Sequence, residues 1–258
     1  MTHDQIHATI ACMGEDRMGM LANHGVQAVF HYAPLHYLVF IARSKALKGK
    51  PTLKKEGFKD SHLRTKSRGI DVARGFGSYA HLTLHAAPAI LKAKLHAGFP
   101  HISVAAPVTA VDAVPFSLCR YNVAMARQLR HDGVGGFPES PINGRYYNGH
   151  QLPIARTPED MSSMLNHHLA VGTMIEVLVH GDLPLPDGTR IICYANVDAD
   201  IAQGVFDELE SSWKIEVREP PSTYARNDHF AKAVSDFTEL ALNDASWRGN
   251  GLEFDKFS

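Results

Sequence analysis

The spacing of apolar and polar positions divides the chain into short strands, a few helices and two long aperiodic stretches. Tyr79 to His85 alternates with a period of two, as does His101 to Ala106, where Ile102 and Val104 share a face. Val29 to Tyr32 reads as a short strand. Ile175 to Val179, Arg190 to Ala195 and Trp213 to Val217 are apolar runs of strand length. A helical period begins at Pro34, where Leu35, Leu38, Val39, Ile41 and Ala42 form one stripe, and Lys48-Gly49-Lys50-Pro51 ends it. Pro88 to Ala97, Val123 to Arg130, Asp198 to Leu209 and Phe230 to Leu242 also read as helices. Pro158 to Leu169 is a helix with Thr157 as its N-cap and Asp160 as the capping-box partner. Residues 3–28 read as one or two helices broken near Gly14-Glu15-Asp16. Residues 48–77 and 133–158 carry Gly with Lys or Pro and no period, apart from a short helix allowed in the first. Loops of that length usually serve function or are disordered.

Short strands that do not alternate regularly with helices predict a mixed α+β fold. No GxGxxG follows a strand and no GxxxxGK[ST] is present, so a doubly wound dinucleotide sheet and a phosphate loop are both disfavoured. At 258 residues and 45% apolar content, the chain can bury a core as one large domain or two small ones. Cys12, Cys119 and Cys193 are odd in number and widely spaced. This argues against a disulfide framework or a thiolate zinc site and suits a reducing cytoplasm. No basic region precedes an apolar run at the start, and no stretch approaches the roughly 18 apolar residues of a membrane span.

Net charge is −1, so the distribution of charge matters more than its total. Arg43, Lys45, Lys48, Lys50, Lys54, Lys55, Lys59, Arg64, Lys66, Arg68 and Arg74 fall in one segment, opposed only by Glu56, Asp60 and Asp71. Such a face suits a polyanion or a phosphorylated cofactor, and equally a solvated loop.

Glu176 is the most informative single position. It heads the run Glu176-Val177-Leu178-Val179-His180, and a carboxylate on a buried strand is costly unless something pairs with it. The 16 histidines are poorly arranged for metal. His81 and His85 would share a face on a helix, but on a strand they stand about 13 Å apart, too far to share an ion. No GxSxG elbow is present, and Cys119 reads as a buried cysteine or a nucleophile.

Phe30-His31-Tyr32-Ala33-Pro34-Leu35-His36-Tyr37-Leu38-Val39-Phe40-Ile41 resembles the opening of the DarT-like ADP-ribosyltransferases. Ser67-Arg68-Gly69-Ile70-Asp71, followed by Ser78-Tyr79-Ala80-His81-Leu82-Thr83-Leu84, is similar to that family's catalytic-arginine segment and the strand after it. Pro88, the Phe116–Ala124 block with Asn122, the Glu176-Val177-Leu178-Val179 strand, Pro184 and the strand from Arg190 to Tyr194 follow in the family's order. Ala33, Pro34 and Tyr37 depart from the family's usual Thr, His and Asn, so some cofactor contacts differ.

The resemblance implies an ADP-ribosyltransferase-like split mixed sheet with flanking helices, with NAD in the cleft between the sheet's halves. It implies a catalytic domain at 29–217, a helical extension at 1–28 and a helical tail at 218–258. Glu176 would be catalytic, with Arg68 holding the pyrophosphate or activating the acceptor. His31, Tyr32, Tyr37, Arg64 and Tyr79 would bind NAD. Arg145, Tyr146, Tyr147 and Arg156 would meet the acceptor, the tyrosines by stacking on a base. NAD enters as substrate and no metal is needed. The implied acceptor is a nucleobase, foremost in single-stranded DNA, then RNA, a free nucleotide or a small molecule. The implied setting is a cytoplasmic toxin with an antitoxin, or phage defence. Two other classes compete: a metal-assisted nuclease using His81, His85 and His101, and a non-catalytic nucleic-acid module using the basic segment.

Overall fold

The computed structural model describes residues 19–58, 78–84, 95, 98–119, 154–155, 157–170, 174–220 and 227–246. The described strands are, in chain order, β1 (Ala28–Pro34), β2 (Ala46–Leu47), β3 (Tyr79–Thr83), β4 (His101–Pro107), β5 (Phe116–Cys119), β6 (Ile154–Ala155), β7 (Glu176–His180), β8 (Leu183–Pro184), β9 (Arg190–Cys193) and β10 (Lys214–Val217). The chain forms two compact units, each built from three separated segments. One takes Met1–Val29, Ser67–His85 and Pro107–Leu183; the other takes Phe30–Lys66, Ala86–Ala106 and Pro184–Ser258. Each combines strands with helices in the α+β manner.

The first unit holds an antiparallel array in the order β3-β7-β5-β6. Helix Pro158–Ala170 starts where the sequence places it, and the Asp160 amide donates to Thr157 Oγ1 at 3.2 Å, the N-cap bond. Met161, Met164 and Leu165 of that helix are buried. The helix Val108–Asp112 and the four-residue helix Met20–Asn23 pack together. Asp112 joins them, accepting from the amides of Leu21 (3.1 Å) and Ala22 (3.3 Å). Burial pushes the Asp112 carboxyl above its ordinary range, and these two amides oppose the shift.

The second unit is the mixed part. β10 runs parallel to β9, β9 antiparallel to β4, and β1 lies beside β4. β4 is buried along all but its last residue, as a central strand requires. β10 is more open, and there Glu216 bridges Arg190 and Arg218. Burial pushes the Glu216 carboxyl up, but the hydrogen bonds and charges of the two guanidinium groups outweigh it and leave the group below its ordinary range.

The core of this unit is aromatic. Helix Asp228–Asn243 buries Phe230, Val234, Phe237, Thr238 and Ala241, a stripe at helical spacing. The Phe237 ring lies tilted at 4.5 Å from His36, and the Phe230 ring tilted at 5.4 Å from Phe99. Arg43 Nη2 donates to the carbonyls of Ala241 and Leu242, satisfying the last turn of this helix. The helix expected after Pro34 forms as a 3-10 turn (Leu35–Tyr37) followed by Leu38–Ser44. It stops at Lys45, whose φ of 47° places it in the left-handed region, before the Lys-Gly-Lys-Pro signal. The short helix allowed in the 48–77 stretch is Lys50–Lys55. Residues 3–18, nearly all of the helix expected at 88–97, the helix at 123–130 and most of the 133–158 loop lie outside the described residues.

Candidate active site

Glu176 heads β7, between β3 and β5. Thr83 stands opposite it on one side and Cys119 on the other. Further along, Leu178 stands between His81 and Ser117, and Tyr79 faces His180. Alternate residues of a strand point to opposite faces. One face of this array therefore carries Tyr79, His81, Thr83, Glu176, His180, Ser117 and Cys119, interrupted only by Leu178. The opposite face carries Ala80, Leu82, Val177, Val179, Phe116 and Leu118, all buried. The fold spends its apolar residues on one side and collects polar groups on the other.

The polar groups are organised in diagonal pairs. His81 Nδ1 lies 2.9 Å from Glu176 Oε1. An ionised carboxylate only accepts, so with Glu176 as the carboxylate the donor in this bond is the Nδ1–H tautomer. Glu176 is 3% exposed, and an unpaired buried carboxylate would cost several kcal/mol, about enough to dominate local stability. His81 meets that need while remaining the more open member, with 21% of its side chain exposed. Next along the face, Ser117 Oγ and His180 Nε2 are 2.9 Å apart, and the Tyr79 ring meets His180 edge-on at 4.7 Å. Among the described residues, no three His, Cys, Asp or Glu side chains are grouped as metal ligands. Cys119 and Cys193 are unoxidised and buried; burial, and then the charge of Asp198, pushes the Cys193 thiol up to about 12.

Of the residues named from the resemblance, Glu176 and Tyr79 share this polar face. His31 and Tyr32 belong to β1 in the other unit. His31 is half-buried, and Tyr32 packs against the cluster of Leu95, Ala105, Ile192 and Tyr194. Tyr37 is 6% exposed in the aromatic core of that same unit, 5.8 Å from Phe58 between ring centres, and its hydroxyl has no hydrogen-bond partner among the described residues. Burial pushes its phenol well above the ordinary range. Arg64, Arg68, Arg145, Tyr146, Tyr147 and Arg156 lie outside the described residues, as does His85.

His81, His180 and Ser117 are the polar groups that the sequence reading misses. His81 enters there as a candidate metal ligand beside His85 and His101 and as one position of the resembling strand, never as a partner of Glu176. The partner it finds in the structure is on a neighbouring strand, 95 residues away. The available signal was the alternation itself: Tyr-x-His-x-Thr and Ser-x-Cys place polar groups at every second position of two strands, and Glu-x-x-x-His places them at the two ends of the same face of a third.

No protein-family model matches the sequence, and no curated protein matches it. Solved structures do. The fold is similar to DarT from Thermus sp. 2.9 in complex with ADP-ribosylated ssDNA, at 11% identity over 78% of this chain and 97% of that one, with a TM-score of 0.50. The same Thermus protein in complex with carba-NAD+ gives 12% identity, 78% and 98% coverage and a TM-score of 0.48. In complex with NAD+ it gives 11%, 78%, 98% and 0.44. At 11% identity the first of these likenesses establishes the fold alone, which is the α+β class expected from the sequence.

Proposed function

We propose that this chain transfers ADP-ribose from NAD to a nucleobase, with single-stranded DNA as the favoured acceptor. The observation that carries the reading is Glu176: a buried carboxylate bonded to an imidazole, on the polar face of a sheet, in a DarT-like fold. It occupies the strand that the sequence resemblance identifies as catalytic. The similar Thermus structure is a complex with ADP-ribosylated ssDNA, which supports DNA as the acceptor class.

In this reaction the bond between the nicotinamide nitrogen and the ribose C1′ breaks, and its electron pair leaves with nicotinamide. Positive charge then develops on the ribose, and a fixed carboxylate stabilises it where water would have to reorganise. A lone pair of the acceptor base forms the new bond to C1′, and the base gives up a proton. Glu176 supplies the negative charge and accepts or steers that proton. Tyr79, on the same face, is assigned to the nicotinamide ring. The remaining roles follow the resemblance: His31, Tyr32, Tyr37 and Arg64 toward NAD, Arg68 toward the pyrophosphate or the acceptor, and Arg145, Tyr146, Tyr147 and Arg156 toward the base. The setting we propose is a cytoplasmic toxin or phage-defence enzyme restrained by an antitoxin. Among the described residues, no helix is long and apolar enough to cross a membrane.

The test is mass spectrometry of DNA oligonucleotides, RNA and nucleosides incubated with protein and NAD. One ADP-ribose added to single-stranded DNA, with nicotinamide released, is the expected result. Addition only to RNA or to a free nucleotide redirects the acceptor, and no addition to any of them rejects the transferase.

A further inference from the structure

We infer that His81 is a positioning residue for Glu176: it fixes the carboxylate through Nδ1, an inference that rests on the transferase reading above. The bond joins diagonal neighbours on one face of β3 and β7, so both ends are anchored in the same hydrogen-bonded array. The 2.9 Å contact from His81 Nδ1 to Oε1 constrains the plane of the carboxylate and with it the direction in which Oε2 points. A glutamate side chain has three rotatable bonds, and misplacement by about 1 Å costs roughly 10²-fold in rate. The exposure gradient fits this role. The acid is sealed and the imidazole is open, so the pair can hold its geometry before any substrate arrives.

The prediction separates position from charge. His81→Ala should lower kcat by about 10²-fold while leaving KM for NAD nearly unchanged. His81→Asn places an amide N–H near the Nδ1 site and should recover most of that loss, whereas His81→Gln, whose amide reaches toward Nε2, should not. Nitrogen-15 NMR of the imidazole gives a readout independent of activity: a protonated Nδ1 in the wild type, with a shift that changes in Glu176→Gln. A fully active His81→Ala, a failure of Asn to rescue, or an Nδ1 that carries no proton overturns the inference. If His81→Ala does not fold, the imidazole spectra of wild type and Glu176→Gln decide it. A wild type that transfers nothing overturns the function itself. An active wild type with an indifferent His81 overturns only the positioning role.

Discussion

Two histidines, one buried and one half-buried, define the contrast between the units. His36 sits in the second unit among Tyr37, Phe99 and Phe237, with ring centroids 4.5 to 5.7 Å away. His81 sits in the first unit on a polar strand face, bonded to a carboxylate. The first behaves as an aromatic wedge that fills volume; the second is an electrostatic partner. The same residue type thus serves packing or chemistry according to what the neighbouring strand or helix presents, and the sequence around each gives little warning of which.

The contrast can be broken from either side. Glu176→Gln keeps the shape of the side chain and removes its charge; transfer should fall by about 10³-fold with little change in Tm. Phe237→Ala does the reverse. It opens the aromatic core and should cost about 3–5 kcal/mol in chemical denaturation, while the fraction that stays folded keeps its turnover. Tyr37→Phe sharpens the boundary. Its hydroxyl is buried without a hydrogen-bond partner among the described residues, so removal should be neutral or stabilising by up to about 1 kcal/mol. A rise in KM for NAD in that variant would support the proposed Tyr37 contact with the cofactor, and an unchanged KM would leave Tyr37 to the core alone.

The smallest effect concerns Glu216. Its carboxyl titrates below the ordinary range in the folded protein, so its contribution is present above the unfolded value. That contribution is lost as pH falls through the lowered folded value. Glu216→Gln should therefore flatten the acid limb of a stability-versus-pH curve slightly, because the group is partly exposed and screened.

Much of the fold was legible because local periodicity and caps are written locally. The strands at Tyr79, His101, Glu176, Arg190 and Lys214 and the helices after Thr157 and Ala195 fall where the pattern puts them. What escaped was either short or non-local. Helix Val108–Asp112 and strand β5 span five and four residues, too few for a period to stand out. The helix end at Lys45 carries no glycine to mark it. Glu176 was legible because a lone carboxylate conflicts with its apolar run. Its partner was not, because the register of β3 against β7 decides which histidine arrives, and register depends on the whole array.

The capping of Met20–Asn23 by Asp112 has a consequence for dynamics. Four residues cannot sustain a helix in isolation, since nucleation alone is unfavourable. The Leu21 and Ala22 amides are held by a side chain some 90 positions later in the sequence. Their hydrogen–deuterium exchange should therefore track the integrity of the helix that carries Asp112, making the two amides a remote gauge of whether that part of the unit is intact.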